Sequence, residues 1–155
     1  MAAYGLLTVY NISASIGVSK SGDAGSETWT YAPLEDGWDN IAEALNEVVQ
    51  QYQFLKNKGF ATNHVTGMAP AYTLTGRRVV GDQAQDYIFG KKYGLDTERQ
   101  SSFKLEYNDA EGTKQTITCN CTLCNIQEFS GASTDDSAVS VEIRFDGKPV
   151  ITPAA

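Results

Sequence analysis

Regular alternation of apolar and polar residues predicts β-strands in the second half of the chain. Over residues 103–107, 117–123 and 139–145, each apolar residue is followed by a polar one. Such alternation is typical of antiparallel strands that bury one face and expose the other. The turn sequence at residues 108–112 is typical of a short hairpin loop, so the first two of these strands are expected to pair.

Shorter runs predict further strands on both sides of that region. Residues 4–11, 28–34 and 71–75 are rich in the aromatic, β-branched and threonine side chains that suit a pleated, half-buried surface. A tight-turn signal at residues 146–147 precedes an apolar pair at residues 150–151, which predicts a last strand. The pattern therefore predicts about seven strands.

The period of the pattern changes at Asp82, which predicts one short helix. Asp82 is a suitable N-cap, and Gln85 three residues on is placed to complete a capping box. Lys91 and Lys92 follow where a helix presents its negative end, and Gly94 is expected to close the helix in the left-handed conformation. The side chains at helical spacing are Ala84, Tyr87, Ile88 and Lys91. Because they form only one stripe, the helix must lie against a sheet.

Residues 36–59 admit two interpretations. The apolar residues spaced by four, three, four and three are Ile41, Leu45, Val48, Tyr52 and Leu55. This spacing favours a helix, with acidic residues early, lysines late and Gly59 after the end. A strand interpretation requires a change of phase between Leu45 and Val48.

Small and polar residues predict loops between these elements. Residues 13–26 are rich in Ser, Gly, Ala, Lys and Asp, and residues 60–67 also have loop composition. The whole chain, residues 1–155, is expected to form a single mainly β (α+β) domain. Its expected architecture is a β-sandwich or open barrel with one flanking helix.

Composition and charge narrow the classes of function. No apolar run approaches the length of a membrane span, so no membrane partner is expected. The net charge of −7 argues against a protein that grips nucleic acid by neutralising phosphates. The adjacent basic pairs at residues 77–78 and 91–92 are expected to lie on a solvated face. No secretory signal pattern is evident at the start, so the three cysteines are expected to be reduced, in cytoplasm.

Cys119, Cys121 and Cys124 form the one arrangement that suggests a metal or redox site, because closely spaced thiolates are zinc ligands. In an extended strand, however, Cys119 and Cys121 point to one face and Cys124 to the other. No second pair of ligands completes the site, and His64 is the only histidine. Buried, inert cysteines are the expected outcome, with a metal or redox protein as the alternative.

No catalytic constellation is evident, and the protein is not expected to be an enzyme. His64 lies in an expected loop without a nucleophile motif nearby. The carboxylate pairs at residues 35–36, 109–111 and 135–136 lie in turns, where acidic side chains commonly cap backbone amides. Trp29 and Trp38 are expected to pack in the core, although an aromatic platform on a carbohydrate-binding or host-surface-binding sandwich is a further alternative.

Several short motifs follow one another along the chain in an order that suggests a known family. In chain order they are Asn46-Glu47-Val48-Val49, Phe54-Leu55, Gly59-Phe60, His64-Val65-Thr66-Gly67, Gly81-Asp82-x-Ala84-Gln85-Asp86-Tyr87-Ile88 and Gln127-Glu128-Phe129-Ser130-Gly131. With them, the chain from about residue 29 onward resembles the major tail tube proteins of long-tailed bacteriophages and related phage-like particles. No single motif is diagnostic, and the resemblance is carried by their order and by the size of the chain.

The resemblance implies a structural virion protein without a cofactor. In that family a β-sandwich-like or barrel domain with one helix closes into six-membered rings, and the rings stack into a hollow tube that conducts DNA. The implied partners are further copies of the chain, tape-measure, tail terminator and tail tip proteins, and double-stranded DNA that passes without tight binding. The implied location is the virion tail, assembled in the cytoplasm of the host bacterium.

The resemblance also implies a self-assembly loop in the ambiguous region. By analogy, residues 36–59 include a strand that runs into a long loop, here within about residues 50–67, that reaches the next ring. The residues implied in this contact are Phe54, Leu55, Asn57, Lys58, Gly59 and Phe60.

Overall fold

The computed structural model describes residues 5–22 and 27–153, which contain ten strands and one α-helix. In chain order the elements are β1 Ser13–Ser21, β2 Thr28–Pro33, β3 Trp38–Ala44, β4 Val48–Tyr52, β5 Thr62–Gly67, β6 Ala71–Arg77, α1 Gln83–Gly90, β7 Gln100–Asn108, β8 Lys114–Gln127, β9 Ala138–Phe145 and β10 Val150–Pro153. The expected mainly β architecture with a single flanking helix is therefore confirmed for these residues.

Eight strands form one antiparallel sheet in the order β2-β1-β7-β8-β9-β6-β3, and β10 pairs with β8 beyond the end of β9. The predicted hairpin is confirmed, since Phe103 pairs with Cys119 and Leu105 with Ile117. Residues from β1, which is next to the end strand β2, and from β3, the strand at the other end of the order, line a common groove. The sheet therefore curls toward itself and forms an open barrel.

The core lies on the inner face of this sheet, where the alternating apolar residues converge. Phe103 and Ile143 are fully buried. The rings of Tyr72, Phe103 and Phe145 lie 5.1–5.9 Å apart, within the range of favourable aromatic pairs. Helix α1 packs onto β1, β2 and β8 through a buried stripe formed by Ala84, Gln85, Ile88 and Phe89.

Helix α1 begins as its sequence predicts but ends differently. The Asp82 carboxylate accepts a hydrogen bond from the Gln85 backbone N–H at 3.1 Å, which confirms the N-cap. The capping box is wrong, because the Gln85 side chain is buried and bonds to the segments before the helix instead. Gly94 is not among the residues with positive φ, so the predicted left-handed closure is wrong as well.

Two predictions near the start of the chain are also wrong. Residues 13–21 of the expected loop form strand β1, because Ala14 and Ile16 insert into the core between β2 and β7. Residues 23–26 of that loop lie outside the described residues. In the expected strand at residues 4–11, Val9–Asn11 form a 3-10 turn, and residue 4 is not described.

Of the two interpretations of residues 36–59, the helix is wrong. The strand interpretation is confirmed for the part of this region up to Tyr52. β3 and β4 occupy this region, and the phase changes in the turn between them, where Asn46 has a positive φ of 50°. The loop expected at residues 60–67 is mostly strand β5, which pairs with β4. The apolar residues of this region have helical spacing, but they belong to two separate strands and a turn.

No helix in the described part of the chain is long and apolar enough to cross a membrane.

Candidate assembly surface

The hairpin formed by β4 and β5 projects from the sheet as an arm, defined here as residues 45–69. Its two strands pair only with each other, in a separate two-stranded sheet. No side chain from residue 45 to residue 69 is buried. An isolated hairpin is marginally stable in water, so an arm of this kind gains stability from further contacts.

Local chemistry accounts for the form of the arm. At its base, the Asn46 side-chain amide donates to the Ala69 carbonyl, and the Ala69 N–H donates to the Leu45 carbonyl, both at 2.9 Å. At its tip, Lys58 and Gly59 take positive φ values of 50° and 94° and reverse the chain. Gly59 suits this conformation because it has no Cβ.

Large apolar side chains on the arm are exposed to solvent. Leu55 is 98% exposed and Phe60 79% exposed. The rings of Tyr52 and Phe54 stack with centroids 5.5 Å apart, yet both remain accessible. The other exposed apolar side chains of the arm are Leu45, Val48, Val49, Val65 and Met68. This concentration of exposed apolar side chains makes the arm the candidate interaction surface.

The structure brings the six residues implied by the resemblance together at the tip of the arm. Phe54 precedes a 3-10 turn at Leu55–Asn57, and Lys58, Gly59 and Phe60 complete the reversal. Asn57 is half-buried because its side-chain amide donates to the Thr62 hydroxyl at 2.8 Å. The tip therefore has a defined conformation before it meets any partner.

The arm also differs in charge from the rest of the molecule. Residues 45–69 contain Lys56 and Lys58 and one acidic residue, Glu47, giving +1. The remaining sequence keeps ten of the twelve basic residues against eighteen of the nineteen acidic ones, a net charge of −8. Because opposite charges attract, the positive arm is suited to contact with an acidic surface.

An open groove separates the two ends of the curled sheet. Its main cavity of about 420 Å³ is lined by apolar side chains that include Ile12, Ile41 and Leu74, and by the carboxylates of Glu35 and Asp39. A neighbouring cavity of about 310 Å³ continues the groove past Ile12 and Ile41 toward Tyr72 and Glu43. The Tyr72 hydroxyl donates to the Glu43 carboxylate at 2.5 Å. Burial first, and then this carboxylate, raise the pKa of Tyr72 above its usual range.

A partly buried ion network holds α1 and the loop after β8 against each other. Glu128, 12% exposed, accepts hydrogen bonds from Arg78 Nε at 2.8 Å and from Lys92 Nζ at 2.6 Å. The hydrogen bond from Lys92 is the largest cause that lowers the pKa of Glu128, and Arg78 lowers it further. The expectation of a solvated face is therefore wrong for Arg78 and Lys92, whose side chains are only 12% and 17% exposed.

The buried Gln85 side chain connects α1 to the preceding segments. Its oxygen accepts from the Val79 N–H at 2.8 Å, and its nitrogen donates to the Arg77 and Asp36 carbonyls at 2.9 and 3.2 Å. These bonds satisfy backbone groups that no strand or helix pairs.

The cysteines lie on β8 as the alternation predicts. Cys119 and Cys121 are buried, and Cys124 is partly exposed. Burial raises the pKa of both the Cys119 and Cys121 thiols, which disfavours the thiolate that metal binding or redox chemistry needs. Within residues 5–22 and 27–153, no three His, Cys, Asp or Glu side chains are grouped so as to hold a metal ion.

The remaining candidate side chains have structural surroundings. Trp38 packs against the core and stacks on Phe89 at 6.2 Å, and Trp29 is half-buried beside Gly17, so neither forms an exposed platform. His64 lies exposed on the arm, with its ring 6.0 Å from that of Tyr52. The Asp109 carboxylate caps the β7–β8 turn by accepting from the Glu111 and Thr113 backbone N–H groups.

Comparison with solved structures finds this fold in phage-like particles. A chain of the virion of a native gene transfer agent particle matches with a TM-score of 0.67 and 8% identity, over 95% of this chain and 99% of that one. A chain of the tail of an empty gene transfer agent particle, refined with C6 symmetry, matches with a TM-score of 0.66 and 10% identity. This match covers 95% of this chain and 99% of that one. A chain of the tube-terminating cap of the anti-feeding prophage matches with a TM-score of 0.58 and 12% identity, over 99% of this chain and 95% of that one.

No protein-family model matches the sequence, and no curated protein matches it. At identities of 8–12% the likeness establishes the fold, and that fold is phage tail-tube-like.

Proposed function

We propose that this chain is a structural subunit of a phage-like virion tail, and that it assembles with copies of itself into stacked hexameric rings that form a DNA conduit. The observation that carries the proposal is the arm, residues 45–69, whose large apolar side chains are all exposed to solvent. The tail-tube-like fold supports it.

The energetics of the arm favour an assembled state. Fully burying a side chain such as Leu55 or Phe60 is worth about 1.5–3 kcal/mol, and in the monomer both remain in water. A contact that covers these two side chains therefore contributes about 3–6 kcal/mol before the costs of association. Six arms in each ring multiply this gain.

The sheet edges fit the same proposal. β2 and β3 end the sheet, and β10 pairs on one side only, with β8. On β10, Val150 and Ile151 are 63% and 62% exposed. Edges of this kind are an aggregation hazard in a free subunit and become specific contacts in a closed ring. The tail of the empty gene transfer agent particle has C6 symmetry, and we extend that symmetry to this chain.

The net charge of −7 suits a conduit, because a surface that does not neutralise phosphates lets DNA pass without holding it. The proposed partners besides further copies are a tape-measure protein in the lumen, terminator and tip proteins at the two ends, and double-stranded DNA in transit. The proposed location is the virion tail, with assembly in the host bacterial cytoplasm. The subunit has no enzymatic role in this proposal.

Sedimentation velocity combined with negative-stain microscopy tests the proposal. We expect the purified chain to form rings and tubes as its concentration is raised, or when a tail initiator complex is added. A chain that stays monomeric at high concentration, in mild salt and with the initiator present contradicts the proposal.

A further inference from the structure

We propose that the tip of the arm of one copy binds in the groove of a second copy. This inference rests on the proposed self-assembly and adds the surface that receives the arm. The two surfaces involved are the tip, residues 54–60, and the groove between the ends of the curled sheet.

The groove offers an apolar surface of suitable size. Its main cavity of about 420 Å³ lies within the range of 300–1,000 Å³ that accommodates drug-sized groups, which is room for one or two large side chains. At its wall, Val9 and Tyr10 expose 59% and 86% of their surface. Leu55 and Phe60 at the tip are the exposed apolar groups that such a wall is able to cover.

The charges of the two surfaces are complementary. Glu35, Asp39 and Glu43 line the groove, and no lysine or arginine is among the described residues that line it. Lys56 and Lys58 lie within the tip, between Leu55 and Phe60, and no acidic residue lies on β4 or β5. A tip with two lysines between its apolar side chains therefore meets an apolar groove that carries carboxylates, and this match sets the register of the contact.

The arm is long enough for a contact between copies. The five residues of β4, the six of β5 and the tip beyond them extend on the order of 20 Å from the base. No arm residue lines the groove of its own chain, so a second copy has to supply the tip.

Charge reversal on both surfaces tests the inference. Lys56→Glu with Lys58→Glu reverses the tip, and Glu35→Lys with Asp39→Lys reverses the groove. Each double variant is expected to raise the protein concentration needed for assembly about tenfold, because two ion pairs become repulsive. The variant with all four changes is expected to assemble within about threefold of the wild-type concentration. The control Glu111→Lys with Asp136→Lys makes the same charge change as the groove variant, at exposed residues outside the groove.

Disulfide cross-linking gives a second measurement that does not depend on charge. In a Cys124→Ser background, chains carrying Asn57→Cys at the tip are mixed with chains carrying Asn40→Cys at the groove and oxidised. A covalent dimer is expected in this mixture and not in a mixture of Asn57→Cys with Glu111→Cys. Circular dichroism melting confirms that each variant is folded.

The outcomes separate this inference from the proposed function. Wild-type tubes together with reversed-charge variants that assemble as readily as the control overturn the inference and leave the tube proposal standing. Impaired double variants that the fourfold variant does not restore also overturn it, because the two surfaces then act on different partners. A wild-type chain that forms no assembly overturns both.

Discussion

Replacing Glu128 by Gln is expected to destabilise the folded subunit by about 2 kcal/mol. The Glu128 carboxylate accepts hydrogen bonds from Arg78 at 2.8 Å and Lys92 at 2.6 Å, and all three side chains are less than a fifth exposed. Removing one partner of a fully buried pair costs about 3–5 kcal/mol, and exposed pairs are worth about 0.2–1 kcal/mol. The partial burial of this network places the expected loss between these limits.

Thermal unfolding followed by near-ultraviolet circular dichroism measures this loss. For a chain of this size, about 2 kcal/mol lowers the Tm by about 6 °C. The matched control is Glu142→Gln, which removes a charge from a pair whose arginine, Arg144, is 57% exposed. This control is expected to change the Tm by less than about 2 °C.

The pH dependence distinguishes charge from packing. Because the folded state lowers the pKa of Glu128, its contribution is fully present above the unfolded pKa of about 4.3. The contribution is lost as the pH falls through the lower folded pKa. The Tm difference between wild type and Glu128→Gln is therefore expected to be constant from about pH 5 upward and to shrink below about pH 4. Equal Tm losses for Glu128→Gln and Glu142→Gln, or a difference that persists at low pH, refute this reasoning.

Three further predictions follow from the arm, the helix and the cysteines. Leu55→Ser with Phe60→Ser is expected to abolish assembly in sedimentation velocity yet leave the urea midpoint of the monomer unchanged, because both side chains are already in water; a lowered midpoint contradicts this. Gln85→Ala is expected to cost about 2–3 kcal/mol in urea unfolding, since the fully buried Gln85 side chain loses three hydrogen bonds to backbone groups, each worth about 0.5–1.5 kcal/mol. The exposed Gln83→Ala on the same helix is expected to cost almost nothing, and similar losses for both contradict the assignment. Titration with a thiol reagent at pH 8 is expected to label only Cys124 in the folded protein and all three cysteines after denaturation; fast labelling of a second thiol contradicts this.

The parts of the fold that the sequence predicts correctly are those whose side chains are buried in the subunit itself. β7, β8 and β9 have one face in the core, so their alternation records the burial directly. Helix α1 was predictable because Asp82 caps its first turn and its buried stripe follows.

The wrong predictions have two causes, apolar side chains that are exposed in the arm and a strand that forms only through its tertiary neighbours. Val48 and Tyr52 are exposed in the arm, so their spacing does not reflect burial in the core. It therefore does not predict the secondary structure of this region. β1 has weak strand composition and becomes a strand because β2 and β7 flank it, which is a tertiary effect.

The candidate site was predictable only in part. The tip residues were implied by a resemblance and lie together on the arm. The groove and the ion network were missed, because their residues come from segments far apart in sequence. Arg78, Lys92 and Glu128 illustrate this, since 50 residues separate Arg78 from Glu128 and 36 separate Lys92 from it. The spacing of residues within a short stretch of sequence does not predict such a cluster.

A cryo-electron microscopy reconstruction of the assembled wild-type protein tests the central claim most directly. We predict six subunits around a hollow lumen, with Leu55 and Phe60 of each arm covered by another copy. An assembly whose arms remain free in solvent, or a protein that yields only isolated subunits under every assembly condition, contradicts the claim.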